Sequence, residues 1–268
     1  MSMASSDCRC GRYRLRMGPG CCTTRFLELC VARGEGKAPG TWEPVASSPF
    51  AEVARFEYEG WQYYHKRYLG RGWLEGIKAR VLGSRAERAW RGAHLLETHA
   101  FGVPETVVTG WRGADCFAVT RAVVGGMSLA QYIQGLRSQA DRRAQRTLRT
   151  AVEELGRVVG RMHAKGIVHG DLRWGNILVV EKAGQRRFVF LDNERTCQYA
   201  QTPKRKVLKN LVQLNLVPDN LLTRTDRMRF WLAYREQHRA LTGDSKAWIR
   251  RIVARTEWRQ ARRAKKNR

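Results

Sequence analysis

The sequence predicts an α+β fold in two lobes, a small mainly-β N-terminal lobe and a larger mainly-α C-terminal lobe. Three observations predict it. Short strand patterns come in pairs between residues 51 and 124. A glycine pair, Gly125-Gly126, breaks the pattern directly after them. Beyond that pair the signal is mainly helical, led by one long apolar repeat over Asp141 to Lys165. A chain of 268 residues can bury a sizeable core in such an arrangement, and nine Trp supply large packing anchors. The lobes are expected at 46–124 and 125–268, the second ending in a basic tail, with 1–45 a loosely ordered lead-in rich in Cys, Gly and Arg.

Each element has its own signal. Within the lead-in one strand is expected, Arg25 to Val31. AEVARFEYEG and WQYYHKRYL read as two strands joined by a tight turn at Glu59-Gly60. Ser84 opens a helical stretch with Ala86, Trp90, Ala93 and Leu96 on one face, and Gly102 and Pro104 end it. ETVVTGW and CFAVTRAVV form a second strand pair around Arg112-Gly113. Ser128 with Gln131 is a capping-box start for the short helix SLAQYIQGL. The long helix carries Leu148, Val152, Leu155, Val159 and Met162 as its apolar stripe, and Gly166 stops it. IVH, a polar loop, ILVVE, a turn at Lys182 to Gln185 and RFVFLD follow; from Lys204 on, the chain reads as helices rich in Arg and Lys.

The charge is far from balanced. Lys and Arg number 50 against 24 Asp and Glu, a formal net charge of +26, which predicts polyanionic partners: nucleic acid, anionic lipid, or phosphorylated and carboxylated substrates. Seven Cys, an odd number irregularly spaced, argue against a complete disulfide framework and for a reducing compartment. Cys8, Cys10, Cys21, Cys22 and Cys30 crowd the start, but without C-x-x-C pairs or a nearby His they do not read as a zinc site. The N-terminus has no apolar signal region, and no apolar run approaches the length of a membrane span. A cytoplasmic protein, resting on a membrane surface, is expected.

The informative stretch is IVHGDLRWGNILVVEKAGQRRFVFLDNE. Asp171 follows a short strand, Asn176 lies in the same loop, and Asp192 ends the second strand of a hairpin that returns to that loop. Phosphoryl transfer needs such a set: a carboxylate to orient the acceptor hydroxyl and take its proton, and oxygen ligands for magnesium on the nucleotide phosphates. His169 and His163 read as packing residues. A lysine must also reach the phosphates. Lys66, in a strand followed by a helix, is the candidate, with Arg67 on the opposite, solvent side and Glu87 as the available acidic partner early in the helix. There is no G-x-G-x-x-G loop, and the turn Ser47-Ser48-Pro49 stands where one would be expected.

H-G-D-x-x-x-x-N resembles the catalytic loop of the protein-kinase-like superfamily. By that resemblance the fold is bilobal and kinase-like, Asp171 is the base, Asn176 and Asp192 are metal ligands, and ATP with Mg2+ is required. Gly170 stands in place of the Arg of H-R-D, D-N-E in place of D-F-G, and no long activation segment follows, which favours a constitutive kinase of small molecules or lipids. SRAERAWRGAHLLETHAFGVPETV and KVLKNLVQLNLV with RTDRMRFWLAYRE resemble segments of the bacterial lipopolysaccharide core (Kdo/heptose) kinase family. This implies ATP-dependent phosphorylation of an inner-core sugar hydroxyl by an enzyme peripheral to the inner membrane, at its cytoplasmic face. The acceptor would be a lipid-linked anionic glycan, and no obligate protein partner is expected. Lys204, Arg205, Lys206 and Lys209, with Arg224, Arg227 and Arg229, would attract such an acceptor. Trp248, Ile252, Val253 and Trp258 on a basic C-terminal helix would either meet the membrane or pack on the C-terminal lobe. Two alternatives stand beside this reading: a phosphotransferase of the aminoglycoside or choline kinase type, and a kinase-like nucleic-acid-binding protein.

Overall fold

In the computed structural model, residues 6–18, 23–37, 42–70, 73–139, 141–218, 220–241 and 243–266 are described. Cys21 and Cys22 lie outside them. The chain divides into two units, Met1–His94 with Val103–Val124, and Leu95–Gly102 with Gly125–Arg268.

The first unit is a seven-stranded antiparallel sheet with helices on its faces. Its elements are β1 (Ser6–Cys10), β2 (Tyr13–Met17), α1 (Thr24–Gly34), β3 (Glu43–Val45), β4 (Ala51–Tyr58), β5 (Trp61–Tyr68), α2 (Trp73–Leu82), α3 (Arg85–Thr98, whose end passes into the second unit), β6 (Thr106–Arg112) and β7 (Asp115–Arg121). The strand order is β1-β2-β6-β7-β5-β4-β3. Glu59 and Gly60, with φ of 49° and 76°, make the two-residue turn between β4 and β5, a pair of positive φ values that matches the strand twist. Alternation sorts the side chains onto two faces. Tyr13, Leu15, Tyr63, Val108, Phe117 and Val119 pack with Phe26 and Cys30 of α1. Tyr68, Cys116 and Ala118 pack with Ala86 of α3 on the other.

Here the sequence reading needs correction. Among the described residues before 46, β1, β2, α1 and β3 belong to the sheet and one of its faces rather than to a loose lead-in. The strand expected at Arg25 to Val31 is helical. A short apolar run such as FLELCV fits either period, and the cap decides: Thr23 Oγ1 accepts from the Phe26 N–H, while Phe26, Cys30, Val31 and Gly34 are buried at helical spacing. The hairpin hid because its alternation, Tyr13, Leu15 and Met17, is interleaved with Arg14 and Arg16. α2 was not anticipated either.

The second unit holds β8 (Met127–Ser128), α4 (Leu129–Ser138), α5 (Arg142–Ala164), β9 (Ile167–Val168), β10 (Ile177–Lys182), β11 (Gln185–Phe190), β12 (Cys197–Gln198), α6 (Lys204–Asn215), α7 (Arg224–Gln237) and α8 (Ser245–Lys266). β8, β10 and β11 form one small sheet, β9 and β12 another. The Ser128–Gln131 capping box starts α4, and Asp141 caps α5 by accepting from the Ala144 N–H at 2.7 Å. Leu148, Val152, Leu155, Val159 and Met162 are all buried. α5 and α7 cross closely because two glycines permit it: a Cβ on Gly156 would lie 2.5 Å from the Phe230 carbonyl oxygen, and one on Gly160 2.6 Å from that of Tyr234.

The family-like R-T-D-R-x-R-F segment is architecture. Thr223 and Asp226 form the capping box of α7, and Asp226 is ion-paired to Arg137 and Arg229. Arg227 donates to the carbonyls of Asn215 and Val217, both at 2.8 Å. Arg227 and Arg229 therefore help to hold α7 in place. On α8, Trp248 and Ile252 are buried against the unit, while Val253 and Trp258 are exposed.

Candidate active site

The loop between β9 and β10 is held from three sides. Gly170 has φ 76°, and a Cβ there would lie 2.6 Å from the Arg195 carbonyl oxygen. A side chain in this place would clash with backbone, which accounts for Gly where H-R-D has Arg. His169 is fully buried, its Nε2–H donating to the Leu191 carbonyl at 2.9 Å and its Nδ1 accepting the Asp171 N–H at 3.4 Å. Burial lowers its pKa, against the pull of Asp192 and Asp171. A neutral ring with both nitrogens engaged is a packing group for the loop.

Asp171 is the best-anchored group in it. Its Oδ1 accepts from Gln213 Nε2 at 2.7 Å and pairs with Arg173 Nε at 2.8 Å. On the Oδ2 side lies Asn176 Nδ2, 3.4 Å away and bonded at 2.9 Å to the Asp171 carbonyl. Gln213 belongs to α6, and its Oε1 accepts from the Leu172 N–H and from Asn210 Nδ2, each at 3.2 Å. The chain continues inward. His163 Nε2–H donates to Asn210 Oδ1 at 3.2 Å, and Tyr234 O–H donates to His163 Nδ1 at 2.9 Å. Burial pulls the pKa of His163 down to about 4, which keeps it neutral in this relay. Trp174 Nε1 donates to the Leu214 carbonyl at 2.8 Å, and Lys209 Nζ donates to the Gly170 carbonyl at 2.6 Å. The structure brings Asp171 and Asn176, both named from the sequence, together in one loop, and adds Gln213, Asn210 and Arg173, which were not named. Gln213 and Asn210 carry no local signal, because α6 meets the loop only through the fold.

Asp192 follows β11 in the left-handed region, φ 59° and ψ 55°, a conformation a non-glycine residue adopts only when its surroundings impose it. The constraint is visible on both sides. The Leu191 N–H donates to the Asn176 carbonyl at 2.9 Å, and Asn193 Nδ2 donates to the Phe190 carbonyl at 3.0 Å. Asn176 and Asp192 are thus tied to one backbone junction. Nδ2 of Asn176 is bonded within the loop, and an amide oxygen and a carboxylate are the kind of hard oxygen donors that suit magnesium.

Lys66 and Glu87 lie in the first unit. Lys66 pairs across the sheet with Val53 and Ala118, on the face that α3 covers, and its Nζ lies 5.1 Å from the centre of the Tyr68 ring. Arg67 is on the opposite face, but that face is not bare solvent: α1 packs there, and Arg67 is half-buried and paired with Glu52 at 3.2 Å. Glu87 Oε2 accepts the Ser84 N–H at 2.8 Å while the Glu87 N–H donates to Ser84 Oγ, a capping box for α3. The turn Ser47-Ser48-Pro49 connects β3 to β4, fixed by Ser47 Oγ–H donating to the Ala51 carbonyl at 2.7 Å.

Comparison with known proteins identifies relatives of the chain. The lipopolysaccharide kinase (Kdo/WaaP) family pattern matches residues 46–234. The lipopolysaccharide core heptose(I) kinase WaaP of Pseudomonas aeruginosa is 31% identical over 196 residues, covering 67% of this chain and 72% of that protein. A solved structure of WaaP in complex with acyl carrier protein superposes with a TM-score of 0.63 at 24% identity, over 85% of this chain and 95% of the other. The antiparallel sheet, the helical second unit and the H-G-D-x-x-x-x-N loop are those of a protein-kinase-like fold. With the family pattern spanning both β5 and the β9–β10 loop, the chain belongs to the lipopolysaccharide kinase (Kdo/WaaP) family.

Proposed function

We propose that the chain transfers the γ-phosphoryl group of ATP to a hydroxyl of a heptose in the inner core of lipopolysaccharide, with Kdo as the second choice of sugar. The observation that carries this is the fixed Asp171 carboxylate, bonded by Gln213 and Arg173 in a loop shared with Asn176. Heptose is preferred because the curated relative is a heptose(I) kinase. Asp171 orients the acceptor hydroxyl and takes its proton as the bond to phosphorus forms. Lys66 holds nucleotide phosphates in this reading, with Glu87 as its acidic partner. Asn176 and Asp192 would hold magnesium, which when bound neutralises phosphate charge.

The acceptor is lipid-linked and anionic, so the enzyme works at the cytoplasmic face of the inner membrane. No described helix is long and apolar enough to cross a membrane. Attachment is therefore peripheral and electrostatic in this reading. The WaaP complex with acyl carrier protein sits poorly with the expectation of no obligate protein partner. An acyl carrier protein is proposed as a partner here too. The supporting observation is an apolar cavity of about 470 Å³ in the second unit, walled by Leu155, Trp174, Leu214, Phe230, Trp231 and Ile252, a setting suited to an acyl chain.

The test is mass spectrometry of lipopolysaccharide from cells with and without the gene. Loss of one phosphate from the heptose region supports the proposal. Loss from Kdo moves the acceptor, and an unchanged core sinks the reading.

A further inference from the structure

Asp171 is surrounded by more positive charge than one carboxylate balances. Arg173 pairs with it, and Lys209 reaches the neighbouring Gly170 carbonyl. The sequence of α8 adds to this in an ordered way. Its buried stripe runs Trp248, Ile252, Thr256, and the same helical spacing continues to Arg259 and Arg263. Trp258 and Gln260, flanking Arg259, are exposed, whereas Arg259 is half-buried. A seam that is apolar at one end is thus cationic at the other. Asn215 Nδ2 of α6 donates to Thr256 Oγ1 at 3.0 Å, which fixes the two helices together one turn before Arg259.

The electrostatics follow. Burial lowers the pKa of Arg259, with Arg173, Arg263 and Arg255 acting the same way and Asp171 against. Burial likewise lowers that of Lys209, with Arg195, Lys206 and Arg259 among its charged neighbours. Two half-buried cations, Lys209 and Arg259, and the exposed Arg173 repel one another, and an anion among them removes the conflict. Direction is given by the two oxygens of Asp171. Arg173 and α6 approach on the Oδ1 side, and Asn176, the proposed metal ligand, on the Oδ2 side. Arg173 and α6, which carries Lys209, therefore lie on the side of the carboxylate away from Asn176.

We propose that Arg173, Lys209 and Arg259 form an anion subsite beside Asp171 that takes a phosphate or carboxylate group of the acceptor, next to the hydroxyl being phosphorylated. This rests on the reading of Asp171 as the acceptor-side carboxylate. It also gives the second half of α8 a role in substrate recognition.

The test uses the full chain and inorganic phosphate at constant ionic strength, with binding followed by calorimetry. The wild-type chain binds phosphate, and a non-hydrolysable ATP analogue leaves that binding intact. Arg259→Gln weakens it at least about tenfold, the effect of removing one charge-assisted contact, and Arg259→Lys recovers most of the loss. Arg250→Gln, exposed on the opposite side of the helix, binds as the wild type does. Asp171→Asn binds phosphate no more weakly, although it loses transfer. Three results overturn the proposal: no phosphate binding by the wild type, equal weakening by Arg250→Gln and Arg259→Gln, or displacement of phosphate by the nucleotide analogue. If the expected pattern appears but no lipopolysaccharide sugar is phosphorylated, the subsite stands and the functional reading fails.

Discussion

Asp171 is held by partners of unlike kind: a neutral amide from α6 and a guanidinium two residues along its own loop. Replacing it with Ala removes the proposed base, so transfer should fall about a hundredfold to ten-thousandfold. Nucleotide binding should be nearly unchanged; single-turnover assays with a parallel nucleotide titration separate the two. Gln213 acts through Asp171 and is a positioning residue. Gln213→Glu loses the amide donor to Oδ1 and sets a second carboxylate against it, so kcat should fall while the KM for nucleotide stays near the wild-type value. A variant that was merely less stable would keep kcat per folded molecule and lose only thermal tolerance. In the first unit, Lys66→Met should weaken productive nucleotide use about tenfold or more, as a lost charged contact does. Arg67→Met removes only the half-exposed pair with Glu52, worth under about 1 kcal/mol, and should leave nucleotide kinetics unchanged. If the two effects were exchanged, the register of β5 toward the nucleotide would be wrong.

At the scale of elements, the contact of α5 with α7 can be tested against a neighbouring helix. Gly156→Ala drives a methyl group into the Phe230 carbonyl and should cost about 1–3 kcal/mol. Gly135, inside α4, has open space where its Cβ would go, so Gly135→Ala should stabilise by about 0.4–1 kcal/mol. Thermal melts of the two variants should move in opposite directions. α5 and the β4–β5 hairpin were legible because a strict apolar period and an unmistakable turn or cap coincide in them. β1, β2 and α1 were not: arginines dilute the strand alternation, and the helix looks like a strand until Thr23 is recognised as its cap. The site divides along the same line. Asp171, Asn176 and Asp192 lie within one hairpin's length of sequence and can be read together. Gln213 and Lys209 meet the loop only after α6 has packed. Arg227 and Arg229, named from charge alone, also serve as ties whose partners the sequence did not reveal.

For the whole molecule, net charge of +26 without a spanning helix among the described residues predicts binding to anionic membranes that weakens with salt. Screening acts within about 10 Å at 0.1 M ionic strength. Co-sedimentation with liposomes of graded anionic content, over a salt series, should show both dependences. Binding to neutral liposomes that ignored salt would point to insertion through Trp258 and Val253, which are exposed. Tight binding to RNA with none to liposomes would favour the nucleic-acid alternative. The sheet of the first unit has a consequence for how the chain is made. β2 pairs with β6, Arg14 opposite Trp111, so the first hairpin synthesised has no neighbour until β6 has left the ribosome. At about 5–20 residues per second that interval is on the order of 5–20 seconds. During it Tyr13, Leu15 and Phe26, fully covered in the finished sheet, remain open to other chains. Nascent chains stalled before β6 should therefore recruit chaperones more strongly than chains stalled after β7, and slowing translation between α3 and β6 should lower the soluble yield.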